Sequence, residues 1–176
     1  MYVTIAAHSG PSKNETHERA KLFIEQLHSK CNPTILVGGY WGLMKTVVDE
    51  ALRQGLKVVI ILPIEKEDQE IPEEAITIKS GSEFRARSIP LVRSGDILVS
   101  LGGESGTMIE IMMAYAMGKP IYCLTNTGLG TDNLQKAFPK YLDQRNIIEI
   151  KYFNDPKLLA EEVCKERRKS SALNIG

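Results

Sequence analysis

Short apolar runs alternate along this chain with longer stretches in which apolar residues recur every three or four positions. Residues 2–7, 33–37, 57–62, 75–79, 96–101, 121–124 and 147–152 read as strands. Residues 57–62 are apolar on successive positions after Lys57, without alternation, which implies burial on both faces and hence a parallel sheet. Between the strands, helices are predicted over residues 14–30, 43–53, from a cap at Ser80 or Ser82 to about 92, 107–117, and 155 to about 167. In the first of these, Ala20, Phe23, Ile24 and Leu27 form one buried stripe. Pro90 sits late in the third helix and predicts a kink or break there, because proline lacks the N–H of the helical ladder. The helix from Thr107 stops at Gly118, with Pro120 beyond it.

Polar, glycine-bearing breaks separate these elements. Residues 65–74 read as an acidic, exposed excursion, and residues 125–133 as a polar loop. The alternation of strands and helices predicts an α/β fold: a single Rossmann-like domain over residues 1–168 with a doubly wound parallel sheet. Residues 169–176 read as an unanchored tail. Ligands of such sheets sit beyond the carboxyl ends of the strands, near the reversal in strand order. Three loops fall on that edge: residues 8–12, with Ser9 and Gly10; residues 38–42, with Gly38, Gly39 and Gly42; and residues 102–107, with Gly102, Gly103, Ser105, Gly106 and Thr107. Two glycine turns, each between an apolar strand and a helix, suit phosphate binding by free N–H groups at a helix N-terminus.

Composition narrows the function classes. The chain has 176 residues, enough for one domain with a substantial core, and 22 basic against 22 acidic side chains. A net charge of zero argues against a general nucleic-acid-binding surface. No apolar run approaches the ~20 residues of a membrane-spanning helix, and no signal peptide opens the chain, so a cytoplasmic protein is expected. Cys31, Cys123 and Cys164 are not at metal-binding spacing and read as a reduced thiol set. No metal site is expected, and no residue set supports pyridoxal chemistry.

Glu110 is the only charged residue between Thr107 and Gly118. It has two readings: a capping box with Thr107, or a functional carboxylate in apolar surroundings. Arg87 pairs with Glu83 on a helix face, or contacts a ligand. Arg85 and Arg93 are solvated or phosphate-facing. His8 reads as structural, and Met108, Met112, Met113 and Met117 as packing. A sheet covers one side of the 107–117 helix, so its other apolar side predicts a homodimer.

The motif V-G-G-Y-W-G-L-M, followed by K-V-V-I-I-L-P, resembles the first half of the LOG (Lonely Guy) family, phosphoribohydrolases often mislabelled as lysine decarboxylases. The family pattern PGGxGTxxE falls on G-G-E-S-G-T-M-I-E, and the family arginine falls on Arg87, nine residues before Asp96. The R-A-R-S-I-P-L-V-R-S-G-D and T-N-T-G-L-G segments look more like the molybdenum-cofactor carriers and uncharacterised nucleotide-binding proteins of the same superfamily. The resemblance implies a Rossmann-like homodimer that binds a nucleoside 5′-monophosphate, with Arg87 and Glu110 catalytic and no cofactor required. The alternative it implies is a carrier holding a nucleotide or the molybdenum cofactor without turnover. Two departures stand out. Gly102 replaces the motif proline and Glu104 the second glycine, which puts a carboxylate in the phosphate loop. Glu104 then points to solvent, shares a cation with the ligand, or marks a different ligand.

Overall fold

The computed structural model describes residues 1–166. The predicted tail at residues 169–176 lies outside the described residues. Seven strands form one sheet: β1 (Tyr2–Ala6), β2 (Thr34–Val37), β3 (Val58–Leu62), β4 (Ile76–Lys79), β5 (Ile97–Ser100), β6 (Ile121–Leu124) and β7 (Ile150–Phe153). Their order is β4-β3-β2-β1-β5-β6-β7, and every pairing is parallel. The chain winds outward from β1 to one edge, then crosses back to place β5 on the other side of β1. That reversal is the doubly wound topology expected from the sequence.

Six α-helices cover the sheet: α1 (Asn14–Lys30), α2 (Gly42–Arg53), α3 (Phe84–Ser94), α4 (Ser105–Ala116), α5 (Asp132–Ala137) and α6 (Pro156–Lys165). The α1 stripe of Ala20, Phe23, Ile24 and Leu27 is fully buried with α2 and α6 against one face of the sheet. Helices α3 and α4 pack side by side on the opposite face, over Leu36, Ile61, Leu98 and Ile121. The central strands are thus buried on both sides, which is why their sequences do not alternate. Strand β4 has only one neighbour and is exposed throughout. No described helix is long and apolar enough to cross a membrane.

Five local expectations need correction. Helix α3 is capped by Glu83, not by Ser80 or Ser82: its carboxylate accepts from the N–H groups of Arg85 at 2.9 Å and Ala86 at 2.7 Å. Helix α3 also runs on through Pro90 to Ser94 instead of breaking. Pro90 is exposed while Leu91 and Val92 anchor the same turn to the sheet, so packing outweighs the lost ladder bond. Helix α5 emerges in a stretch read as loop up to residue 133, and β7 begins at Ile150, not at 147. Finally, the cysteines are not all free thiols. Cys31 and Cys164 form a disulfide between the C-terminal ends of α1 and α6, with 5.5 Å between their Cα atoms, and Cys123 alone stays free and buried. A separation of 133 residues leaves no spacing signal for that pair.

Candidate functional site

The carboxyl ends of β1, β2 and β5 open into a cleft of about 200 Å³, at the reversal in strand order. Ala7, His8 and Ser9 line it from the end of β1, Gly38 and Trp41 from the end of β2, and the start of α4 from beyond β5. Helix α3 crosses the floor and contributes Arg87 and Ser88. Ser105, Gly106 and Thr107 form the first turn of α4 at the cleft, where helix geometry leaves N–H groups without intrahelical partners and the dipole is positive. Beyond its chain neighbours and its own helix backbone, no atom lies within 4 Å of where a Gly106 side chain would begin, so that side of the turn is open space.

On the floor, Arg87 and Glu110 are 5% and 8% exposed. Ser88 Oγ donates to Glu110 Oε1 at 2.9 Å, and Arg87 Nη1 lies 3.6 Å from the same oxygen. Arg87 Nε and Nη1 are buried with no hydrogen-bond acceptor. Burial pushes the Glu110 carboxyl above its ordinary range, partly offset by the Arg87 charge and the Ser88 hydrogen bond. Burial also pulls the Arg87 guanidinium down, partly offset by the charges of Glu110 and Glu65. Both charged forms are therefore held at a cost. Neither bland reading of these residues describes the geometry. The cap position of α4 is Glu104, so Thr107 and Glu110 make no capping box, and Glu83 is spent on the backbone of α3.

The glycines fall into two groups. Gly38 lies directly under the Arg87 guanidinium, and a Cβ there would stand 1.8 Å from Nη1. Gly10, Gly39, Gly42, Gly102 and Gly103 are not among the residues that line the cleft. Gly42 has φ +54°, and a side chain there would strike the Ser9 backbone at 2.6 Å. The Gly103 N–H donates to Thr131 Oγ1 at 3.0 Å and its carbonyl accepts from the Thr131 N–H at 2.9 Å, so both groups are committed to the 125–131 loop. That loop is itself tied down: Arg19 donates to the carbonyls of Thr125 and Asn126, each at 2.8 Å, and Asp132 accepts from the Gly128 N–H at 2.8 Å. Glu104 is exposed at the cleft, and its Oε1 accepts from the Gly130 N–H at 3.2 Å.

Sequence reasoning noted the bulk of Tyr40 and Trp41 between the glycines but left out Ser88 and Phe84, whose ring meets that of Trp41 edge to face at 6.2 Å. Ser88 follows Arg87 in sequence, yet only the packing of α3 on α4 aims it at Glu110. His8 and Arg85 also line the cleft.

A sequence model of the SLOG cluster4 family matches residues 1–159. The chain belongs to the SLOG cluster4 family. The LOG-like resemblance therefore holds at the level of the family. An uncharacterised protein of Archaeoglobus fulgidus is 30% identical over 117 residues, spanning 66% of this chain and 75% of that protein. Among solved structures, the structural-genomics protein TM1055 is 33% identical, with a TM-score of 0.80 over 92% of this chain and 97% of its own. The molybdenum cofactor binding protein of Rippkaea orientalis is 18% identical, with a TM-score of 0.75 over 92% of this chain and 94% of its own. The molybdenum cofactor carrier protein of Chlamydomonas reinhardtii is also 18% identical, with a TM-score of 0.71 over the same shares. At that identity the two carriers share the fold with this SLOG protein.

Proposed function

We propose that this SLOG protein binds a nucleoside 5′-monophosphate in the cleft and hydrolyses its N-glycosidic bond, releasing free base and ribose 5-phosphate. The observation that carries the reading is the Arg87–Glu110 pair: two opposite charges buried on the floor of an open cleft, with two guanidinium nitrogens lacking acceptors. Such an arrangement costs stability and is retained where a ligand completes it. The 5′-phosphate takes the first turn of α4, at the N–H groups of Ser105, Gly106 and Thr107. Cleavage of a glycosidic bond passes through an oxocarbenium-like state at the anomeric carbon. Glu110 stabilises that positive charge and accepts a proton from the attacking water. The water oxygen bonds to C1′ as the C1′–N bond breaks, the electron pair of that bond leaves with the base, and the base takes up the proton that Glu110 releases. Arg87 orients Glu110 and binds the sugar hydroxyls. Ser9 and Gly38 belong to the opposite wall, with Gly39 behind it against the Trp41 ring. A raised carboxyl pKa suits general acid–base work near neutral pH. No cofactor enters this reaction, and a nucleotide substrate suits a cytoplasmic protein.

The test is chromatographic: incubate the protein with a panel of nucleoside monophosphates and measure free base. Wild type is expected to release base, and Glu110→Gln to lose that release by at least ~100-fold. Equal inactivity of both on the full panel overturns hydrolysis.

Glu104 supports a second reading, a carrier that holds a nucleotide or the molybdenum cofactor without turnover. A carboxylate at the cleft, bonded to Gly130, is unlike the LOG motif. The cofactor's phosphate would take the same α4 turn, and its acceptor atoms would match the unpartnered Arg87 nitrogens. Mass spectrometry of protein denatured after purification separates the readings: an intact ligand supports the carrier, a trapped product the enzyme. We propose a homodimer in either case, through the face where Ile89 of α3 and Met112 of α4 are 49% and 45% exposed.

A further inference from the structure

Trp41 stands between two cavities. The residue lines the cleft already described and also a second, more open cleft of about 410 Å³. The rest of that second cleft comes from the segment after β3: Glu65, Lys66, Asp68 and Gln69. Its polar groups make a particular set. Two are carboxylates, one is an ammonium, and one is an amide whose orientation is fixed. Gln69 Nε2 donates to the Tyr40 carbonyl, which can only accept, so the amide oxygen faces the other way. That oxygen, Oε1, is buried with no donor. Lys66 Nζ lies 6.0 Å from the centre of the Trp41 ring. The two clefts are also linked electrically, because the Glu65 charge bears on Arg87.

We propose that this second cleft is the ring-binding half of the same site, and that the ring it takes carries the 2-amino-4-oxo pattern shared by guanine and pterins. The inference rests on the reading of the first cleft as a sugar-phosphate site. A flat heteroaromatic ring held at the shared wall stacks on Trp41. Its edge then meets Glu65 and Asp68, both acceptors, together with one donor, Lys66. A 2-amino-4-oxo ring presents a matching edge: adjacent ring N–H and exocyclic NH₂ donors, which a carboxylate accepts, and one carbonyl, which an ammonium donates to. Adenine offers one exocyclic donor beside ring acceptors, and would set a ring lone pair against a carboxylate. Cytosine has the same mismatch. A site built from charged acceptors rejects such an edge because its own groups lose water and gain no partner. The segment read from sequence as a solvated acidic face thus becomes the part of the molecule that selects the ring.

Trp41 is the only tryptophan in the chain, so its fluorescence reports on this wall directly. The experiment titrates full-length wild type with GMP, AMP, CMP, neopterin monophosphate and ribose 5-phosphate. It measures affinity by calorimetry and Trp41 emission in parallel, and repeats both with Glu65→Gln/Asp68→Asn. GMP, the pterin or both are expected to bind at least ~10-fold more tightly than AMP or CMP and to quench Trp41. Ribose 5-phosphate should bind without quenching. The double variant should close most of the gap while keeping its affinity for ribose 5-phosphate. A preference for GMP over the pterin, or the reverse, names the source of the ring. Equal affinity for all rings, a preference for AMP, or a gap unchanged in the double variant overturns the proposal. If ribose 5-phosphate binds and no ring adds to it, the sugar-phosphate site stands and this inference falls alone. If nothing binds, both fall.

Discussion

The buried Arg87–Glu110 pair gives a sharp prediction about stability. At 3.6 Å, and with the effective dielectric of ~20 that suits protein sites, their attraction is about 4–5 kcal/mol. Taking each charge out of water costs several kcal/mol, so the two terms nearly cancel. The directions of both pKa shifts agree: burial is the largest influence on each group, and each charged form is disfavoured relative to water. Removing one partner leaves the other charge uncompensated. Arg87→Met is expected to lose roughly 3 kcal/mol of unfolding free energy, and Glu110→Gln clearly less, because the folded state already favours the neutral form at Glu110. Replacing both together should restore stability to within ~1 kcal/mol of wild type, because Ser88 can still donate to the amide oxygen of the new glutamine and no charge remains buried. Urea unfolding of the four proteins at pH 7 measures this cycle. The pH dependence carries a sign of its own. A carboxyl whose folded pKa lies above the ordinary 4.5 binds protons more tightly in the folded state. Stability therefore falls as pH rises from about 4.5 through the folded value, so the stability of wild type relative to the double variant is highest in acid and declines toward neutrality. Additive losses in the double variant would refute this reasoning and make the pair an ordinary structural contact.

Gly38→Ala should keep the fold, judged by circular dichroism, yet displace Arg87, because the new methyl falls 1.8 Å from Nη1. A misplacement of that size is expected to lower ligand turnover or affinity by up to about 100-fold, and unchanged binding would contradict the packing described. Reducing the Cys31–Cys164 bridge releases a 133-residue loop and should destabilise the protein by up to about 5 kcal/mol, seen as a lower melting temperature. Thiol labelling after denaturation without reductant should find Cys123 alone, and three labelled cysteines would disprove the bridge. Light scattering is expected to give at least a dimer at micromolar concentration, and Ile89→Glu/Met112→Glu a monomer. A monomeric wild type would leave that face without its proposed partner.

Much of this protein is local in origin and could be read along the chain. The strands show as apolar runs because a parallel sheet is buried on both faces, and the α1 stripe shows because one face of a helix meets that sheet. The glycine turns at Gly38 and Gly102 show because each falls where a strand must turn into a helix. Glu110 stood out as the only charged residue between Thr107 and Gly118, whereas Arg87 was singled out by family resemblance. What tertiary structure alone decided lies across long separations. Gly103 and Thr131 meet only because the loops after β5 and β6 are neighbours, and that contact removes the Gly103 N–H from the cleft. Ser88 reaches Glu110 because α3 packs on α4, Cys31 meets Cys164 because α6 returns beside α1, and Trp41 becomes a shared wall because the segment after β3 folds back over β2. Periodicity records which side of an element is buried. It carries no trace of which distant element does the burying, because that depends on strand order, and strand order is set by the summed packing of the whole sheet.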